Sequence, residues 1–452
     1  MPSSTELPPP VTRILADFVS GHPAQGWDAA VEREAHRTFM NWLGCAIGAS
    51  RHPAVDAALA AVRELSPAPQ ATILGRSDRV DIASAALVNG IASHTFDYDD
   101  THLATIIHPA GPVASAALAL AEHLGASGRQ FIDALVLGVD VECRVGNAIY
   151  PDHYDRGWHI TGSTGMLGAA AASARMLGLD AERTTMALGI AASQPIGIRE
   201  QFGSMTKPFH VGGAARAGLA SALLAKHGYT SSVRALEAPR GLMQIYSTKC
   251  DWTEITDELG RRFEISFNSY KPFACGVVIH PCIDGAVELA AAHRLSGDDI
   301  ERIELKVHPL VLELTGKTSP RNGLEGKFSV YHATAAGILF GKAGEAEFAD
   351  DIVARADVVA LRSRVVATVD AAIGEASCDV TIVCSDGRRL HTFVQHAIGS
   401  LERPMPDAGL ERKFHDLVDP ILGAARAGEL IGQCAAFSRC TDVRSFLETT
   451  HA

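Results

Sequence analysis

The sequence predicts a mainly α protein built from a large all-helical domain and a smaller α+β domain with an antiparallel sheet. Three observations carry that reading. A chain of 452 residues is too long for one ordinary core. From Val11 to about Gly260 apolar residues recur every three or four positions, whereas after about Ser266 β-branched runs and period-two alternation set in. After Leu410 the helical spacing returns. The expected boundaries are 1–265 for the helical domain, 266–400 for the α+β domain, and 401–452 for C-terminal helices that rejoin the first domain.

Taken in order, the first helices are amphipathic, on Ile14-Leu15-Phe18, Phe39-Trp42-Leu43 and Val55-Leu59-Val62. Four later segments, Val113 to Leu124, Phe131 to Ala148, Gly165 to Leu177 and Ala214 to Ala225, are apolar almost all round and rich in Ala and Gly. Small residues let helices approach closely, so these are expected to be central and buried. In the second part, Ile300 to His308 alternates apolar and polar, Val365 to Val369 and Val380 to Cys384 are β-branched, and Asp386-Gly387 marks a hairpin turn before Leu390 to Val394. Helical patterns at Ile283 to His293 and Ser329 to Phe340 are expected to pack on that sheet.

Composition narrows the function. A formal net charge of -12 with no Lys/Arg run disfavours nucleic acid or an acidic membrane surface as partner. The longest Ala-rich segment, Gly165 to Leu179, is interrupted by Arg175, so no membrane span is expected. The proline-rich start, Met1 to Pro10, has neither a signal-peptide core nor an Arg-rich transit pattern and reads as a frayed tail. Nine cysteines without a Cys-x-x-Cys pair point to reduced thiols and a cytoplasmic protein.

The chemistry concentrates between His94 and Pro109, where Asp97, Asp99 and Asp100 lie among His94, His102 and His108. So many polar groups between two apolar segments must be paired, hydrated or functional. Three segments share one layout, an ionisable side chain and then Gly or Pro and small residues opening a buried helix: His108 to Pro112, Gly157 to Gly165 with His159 and Thr161, and Thr206 to Gly213 with Lys207 and His210. Helix N-termini offer unpaired N–H groups, so with Lys207 and the histidines they suit a polycarboxylate. The plainer alternative is that Gly and Pro merely start helices around satisfied core histidines. The acid and histidine set is also open to a divalent-metal reading, although no recognised ligand spacing is present. A Gly-x-Ser-x-Gly hydrolase elbow is absent, and the Gly-rich turns lack the preceding strand of a dinucleotide fold. In the second domain Lys271, Lys327 and Tyr331 are either site residues or, respectively, surface lysines and a packed aromatic.

Five motifs in order, Asn89-Gly90, His94 to Pro109, Gly157-Trp-His159-x-Thr161-Gly, Thr206-Lys207-Pro-x-His210 and Lys271-Pro-Phe-Ala-Cys275, give the chain a resemblance to the MmgE/PrpD family. That family includes 2-methylcitrate dehydratases, cis-aconitate decarboxylases and an iminodisuccinate epimerase. The resemblance implies an active site between a helical domain and an α+β lid, usually in a homodimer, with no cofactor and no metal. It implies that Asp97, His108, His159 and Lys207 are catalytic and that Thr101, His210, Lys271 and Tyr331 bind substrate. The implied activity is a cofactor-independent lyase acting on a small di- or tricarboxylate, by default a 2-methylcitrate-type dehydratase. An epimerase of a substituted succinate and a cis-aconitate-type decarboxylase are the alternatives within the family; a metal-dependent hydrolase and a silent carboxylate binder are those outside it. Two departures from the animal decarboxylases stand out. The stretch from Thr101 to His108 is one residue longer, and Cys275-Gly276 replaces a lid histidine, with His280 expected to open the next helix. Met205, Ile196 and Gln201 are candidate readers of the substrate side chain, and Arg199 and Glu200 either shape the pocket or pair with each other.

Overall fold

The computed structural model describes residues 8–23, 26–65 and 68–452. Most of the N-terminal tail expected to fray lies outside them. Among the described residues nine helices of ten or more residues precede the α+β part: α1 (Val11–Gly21), α2 (Ala29–Gly48), α3 (Pro53–Leu65), α4 (Ile82–Thr95), α5 (Ala110–Leu124), α6 (Gly128–Ile149), α7 (Ile160–Met176), α8 (Ala181–Ala191) and α9 (Thr206–Lys226). Their starts follow local chemistry. Asp28 and Asp81 accept backbone N–H bonds at the beginnings of α2 and α4, and Ser127 with Gln130 forms a capping box on α6.

The four Ala- and Gly-rich segments are α5, α6, α7 and α9, and they form the centre, with α9 packed against α4, α5 and α7. The closest approach is at Gly90 of α4, where a Cβ would stand 2.7 Å from the Gly212 Cα of α9. A Cβ on Gly212 would meet the Leu87 carbonyl at 2.2 Å. Only glycine lets these backbones touch, and the contact sets the end of α4, carrying His94, beside the start of α9, carrying Lys207. Asn89 serves the same architecture: its amide bonds both the Leu74 N–H and the Thr72 carbonyl.

The α+β part holds a four-stranded sheet in the order β2-β1-β3-β4, with β1 Ile300–Val307, β2 Val365–Val369, β3 Cys378–Cys384 and β4 Arg389–Val394. The β3–β4 hairpin turns at Gly387, which has φ 87°. Strands β1, β3 and β4 pair antiparallel as expected, but β2 lies parallel to β1 at the edge. The long helical connection between β1 and β2 is what permits that orientation, since a parallel neighbour needs a crossover. Helices α10 (His280–His293) and α11 (Val330–Phe340) pack together, with α10 lying on β3 and β4.

Two features join the parts. Thr101 and His102 pair antiparallel with Ser269 and Asn268, tying the acid-rich stretch to the chain entering the second part. The C-terminal helices α12 (Asp407–Leu422) and α13 (Ala424–Ala435) return to pack on α2. From α12 the buried Lys413 ammonium donates to Asn41 Oδ1 at 2.8 Å, the Tyr98 carbonyl at 2.5 Å and the Lys271 carbonyl at 2.9 Å. Burial lowers its pKa to about 8. All nine cysteines are free thiols. Among the described residues no helix is long and apolar enough to cross a membrane.

Candidate active site

A cleft with about 440 Å³ of atom-free space, open side included, lies between the helical and α+β parts, lined by Asp97, His108, His159, Lys207 and Lys271. Three of these sit at or next to helix starts. His108 is two residues ahead of α5, His159 is the N-cap of α7, and Lys207 is the second residue of α9. Three helix N-termini and their unpaired N–H groups thus converge on one space.

Asp97 organises the cations. Its Oδ1 is 2.9 Å from Lys207 Nζ and 2.7 Å from Lys271 Nζ, and its carbonyl accepts a second bond from Lys271 at 3.0 Å. Its backbone is left-handed, φ 50°, a conformation Asp tolerates better than most residues. Burial alone would raise its pKa, but the two ammonium groups overcome this and hold the carboxylate well below its usual range. Lys271 also donates to the Cys275 carbonyl at 3.2 Å. Lys207 Nζ lies 5.3 Å and 5.4 Å from the ring centres of Phe202 and Phe328, so its charge is fixed between aromatic faces. Burial lowers its pKa against the pull of Asp97.

The imidazoles form a contiguous group. His94 stands 4.7 Å from His108 and 5.8 Å from His159, centre to centre. His94 Nδ1 faces Asp99 Oδ2 at 2.8 Å, and His108 Nδ1 faces the Asp100 carbonyl at 2.8 Å. A carbonyl can only accept, so His108 carries its proton on Nδ1 and keeps a lone pair on Nε2. His159 Nδ1 meets His210 Nδ1 at 3.0 Å, one donating and the other accepting. The tautomer of that pair decides whether His159 offers the cleft a proton or a lone pair.

Burial holds His108 and His159 well below the ordinary imidazole range, and His210 at about 4. A base must be neutral to act, so lowered values keep these rings competent as pH falls. The acid limb of kcat/KM is therefore expected below pH ~6 rather than near the unperturbed imidazole value of about 6.5. A pH profile with its acid limb at or above 6.5 would contradict this account of the histidines.

Asp100 is a different kind of acid. It accepts from Asn268 Nδ2 at 2.6 Å and Ala110 N at 3.2 Å, and burial together with neighbouring Asp99 raises its pKa to about 7. With Asp97 and Asp99 ionised against Lys207, Lys271 and Lys413, the local charge leans positive within a chain that is negative overall. That suits an anionic ligand. The metal reading meets an obstacle here. His94, Asp97, Asp99 and His108 do present ligand atoms within 4.8 Å of one another. Two ammonium groups already bonded to Asp97 would repel a dication at that point.

Other expected residues fall outside the cleft lining. Thr101 is buried behind His108, its Oγ1 3.3 Å from His108 Nδ1, and His210 reaches the cleft only through His159. Tyr331 is half-buried on α11 and does not line the cleft; Phe328 does. Met205, Ile196 and Gln201 are likewise not lining residues, and Met205 is 46% exposed. Arg199 does not pair with Glu200; it bonds Glu313 at 2.5 Å and stacks on the Tyr154 ring. Lys327 is buried, bonded to Glu345 and the Ala274 carbonyl. His102 is held by Thr105 and Glu264. His94 and Asp99, which the sequence placed in the polar stretch, support the imidazole group, and Tyr154, Phe202, Thr315 and Val277, which it did not single out, are walls.

The chain is similar to known proteins along both of its halves. Residues 13–255 match the MmgE/PrpD N-terminal domain and residues 273–436 the MmgE/PrpD C-terminal domain. The cis-aconitate decarboxylase-like protein oryM of Aspergillus oryzae is 25% identical over 97% of this chain and 96% of its own. The cis-aconitate decarboxylase of Mus musculus is 24% identical over 95% and 93%. The 2-methylcitrate dehydratase of Salmonella typhimurium is 23% identical over 82% of each. With both halves matched, and with the cleft lying between them, the chain belongs to the MmgE/PrpD family.

Proposed function

We propose that this protein is a cofactor-independent lyase that moves protons next to a carboxylate of a small di- or tricarboxylate, with dehydration of a 2-methylcitrate-type acid as its reaction. The observation that carries this reading is the pairing of Lys207 and Lys271 on one carboxylate oxygen beside neutral His108 and His159. The lysines and the helix N-termini hold substrate carboxylates and stabilise the charge that builds up beside them. His108, with its lone pair on Nε2, takes the proton from the carbon next to a carboxylate. His159, which presents its Nε2–H to the cleft when His210 donates to its Nδ1, hydrogen-bonds the departing hydroxyl, and the proton that His108 took leaves on that oxygen as water. Both rings are then neutral, as they began.

Decarboxylation is the second reading, supported by the names of the Aspergillus and mouse relatives. Against it stands Gly276, which lines the cleft and offers no imidazole from the α+β side. Incubation of the purified protein with 2-methylcitrate, cis-aconitate and iminodisuccinate separates the chemistries, by alkene absorbance, released CO2 and loss of optical rotation respectively. Alkene formation from 2-methylcitrate that survives a chelator is the expected result. Turnover of none of the three acids would overturn the proposal.

A further inference from the structure

A second chamber lies behind Lys271, with about 690 Å³ of atom-free space including its open side. It shares four wall residues with the cleft: Ile106, Lys271, Val277 and Val278. Those side chains are therefore a partition with substrate-binding space on one side and the chamber on the other. Beyond the partition the walls are mostly apolar, with Leu103, Pro281, Ala376, Ala397 and Ile398 beside Tyr270, Gly399 and Ser400, and the outer rim, at Glu375 and Ile398, is exposed.

The chamber has little to offer a charged group. Lys271 contributes its aliphatic stem, because its ammonium is committed to Asp97 and the Cys275 carbonyl. His280 is buried and its pKa is lowered to about 3, so its ring is neutral. Glu375 is the only charged side chain besides Lys271, and it stands at the rim. A carboxylate would lose its hydration there without compensation. Charged groups have another approach. A wide polar opening lined by Arg156, Arg199, Lys317, Asp155, Glu200 and Glu313 shares Phe202 and Leu314 with the cleft.

The partition is also where the backbone is least relaxed. Ile106 has φ 59°, in the left-handed region that a β-branched residue rarely enters. The flanking bond from His102 N to the Ile107 carbonyl, 2.8 Å, holds it there. Strained positions of this kind persist where surrounding structure enforces them, commonly at ligand clamps.

We infer that the substrate carries an apolar substituent several carbons long, which passes Ile106, Val277 and Val278 into this chamber while its carboxylates stay with Lys207 and Lys271. This rests on the polycarboxylate reading above. A methyl group alone leaves the chamber empty; a longer chain fills it.

The test uses the full-length protein and citrates bearing hydrogen, methyl, butyl or hexyl at the same carbon. The kcat/KM is expected to rise about fourfold per buried methylene until the chamber is full. Ala397→Phe, which fills the chamber without touching the cleft, should lower kcat/KM for the butyl and hexyl acids at least tenfold and leave the methyl acid within twofold. Should that variant fail to fold, Ile398→Trp at the rim should penalise the hexyl acid alone. Equal or falling kcat/KM with chain length, in a protein active on the methyl acid, overturns the inference and leaves the proposed function standing. A chain-length preference that neither substitution alters overturns the placement in this chamber. If no acid is turned over, the proposed function falls; the rise in Tm on adding each acid then decides the chamber question, with a larger rise for butyl than for methyl supporting it and no difference overturning it.

Discussion

Replacing His159 by Gln is expected to lower kcat by on the order of 10² to 10⁴ while leaving the fold intact. The side chain is at the N-cap of α7 but makes no capping bond, so the helix start does not depend on it. Among the described residues its one side-chain hydrogen bond is to His210 at 3.0 Å, and glutamine can still meet that ring. What glutamine cannot do is offer the departing hydroxyl an N–H as acidic as that of imidazole. The loss should fall on kcat rather than KM, because the lysines hold the carboxylates. His210→Gln is expected to cost less, since that ring only sets the tautomer of His159. The checks are steady-state kinetics on whichever acid the wild type consumes and thermal unfolding of each variant. Turnover within about threefold of wild type for His159→Gln would remove this histidine from the chemistry.

Replacing Asp97 by Ala is expected to destabilise the protein by about 3–5 kcal/mol, because it strands two buried ammonium groups. Lys207 and Lys271 are 6% and 3% exposed, and Asp97 Oδ1 is the one carboxylate oxygen both of them share. The effect reads as a lower midpoint in urea unfolding. Because the folded-state pKa of Asp97 is depressed, its contribution is present above the unfolded carboxylate value and is lost only as pH falls well below it. The deficit of the variant should therefore be constant between pH 6 and 8. A carboxylate ligand should return part of the stability by standing where the aspartate stood. A variant within about 1 kcal/mol of wild type would show that the lysines are not desolvated as described.

The helical part and the three helix starts were legible because they rest on local signals. Ala- and Gly-rich periodicity forecast α5, α6, α7 and α9, and Gly or Pro after an ionisable side chain marked the ends where His108, His159 and Lys207 now converge. The parallel pairing of β2 was not legible, since strand orientation depends on the path of the connection and not on the strand. Nor was the sharing of Asp97 by two lysines more than 100 positions away in sequence. Tyr331 fell outside the cleft for a local reason. Ser329 Oγ accepts from His332 N and so fixes the phase of α11, which buries Val330 and His332 and turns Tyr331 aside. His94 stood out in the sequence only as one of the acid and histidine cluster, and its contacts with His108 and His159 disclose it as part of the imidazole group.

Lys413 gives this fold a clock. It holds the Tyr98 and Lys271 carbonyls together, yet it is made 142 residues after Lys271. A growing chain already contains His108, His159, Lys207 and Lys271, but it lacks the clamp between Tyr98 and Lys271. The assembled cleft therefore waits on the return of a helix that does not itself line it.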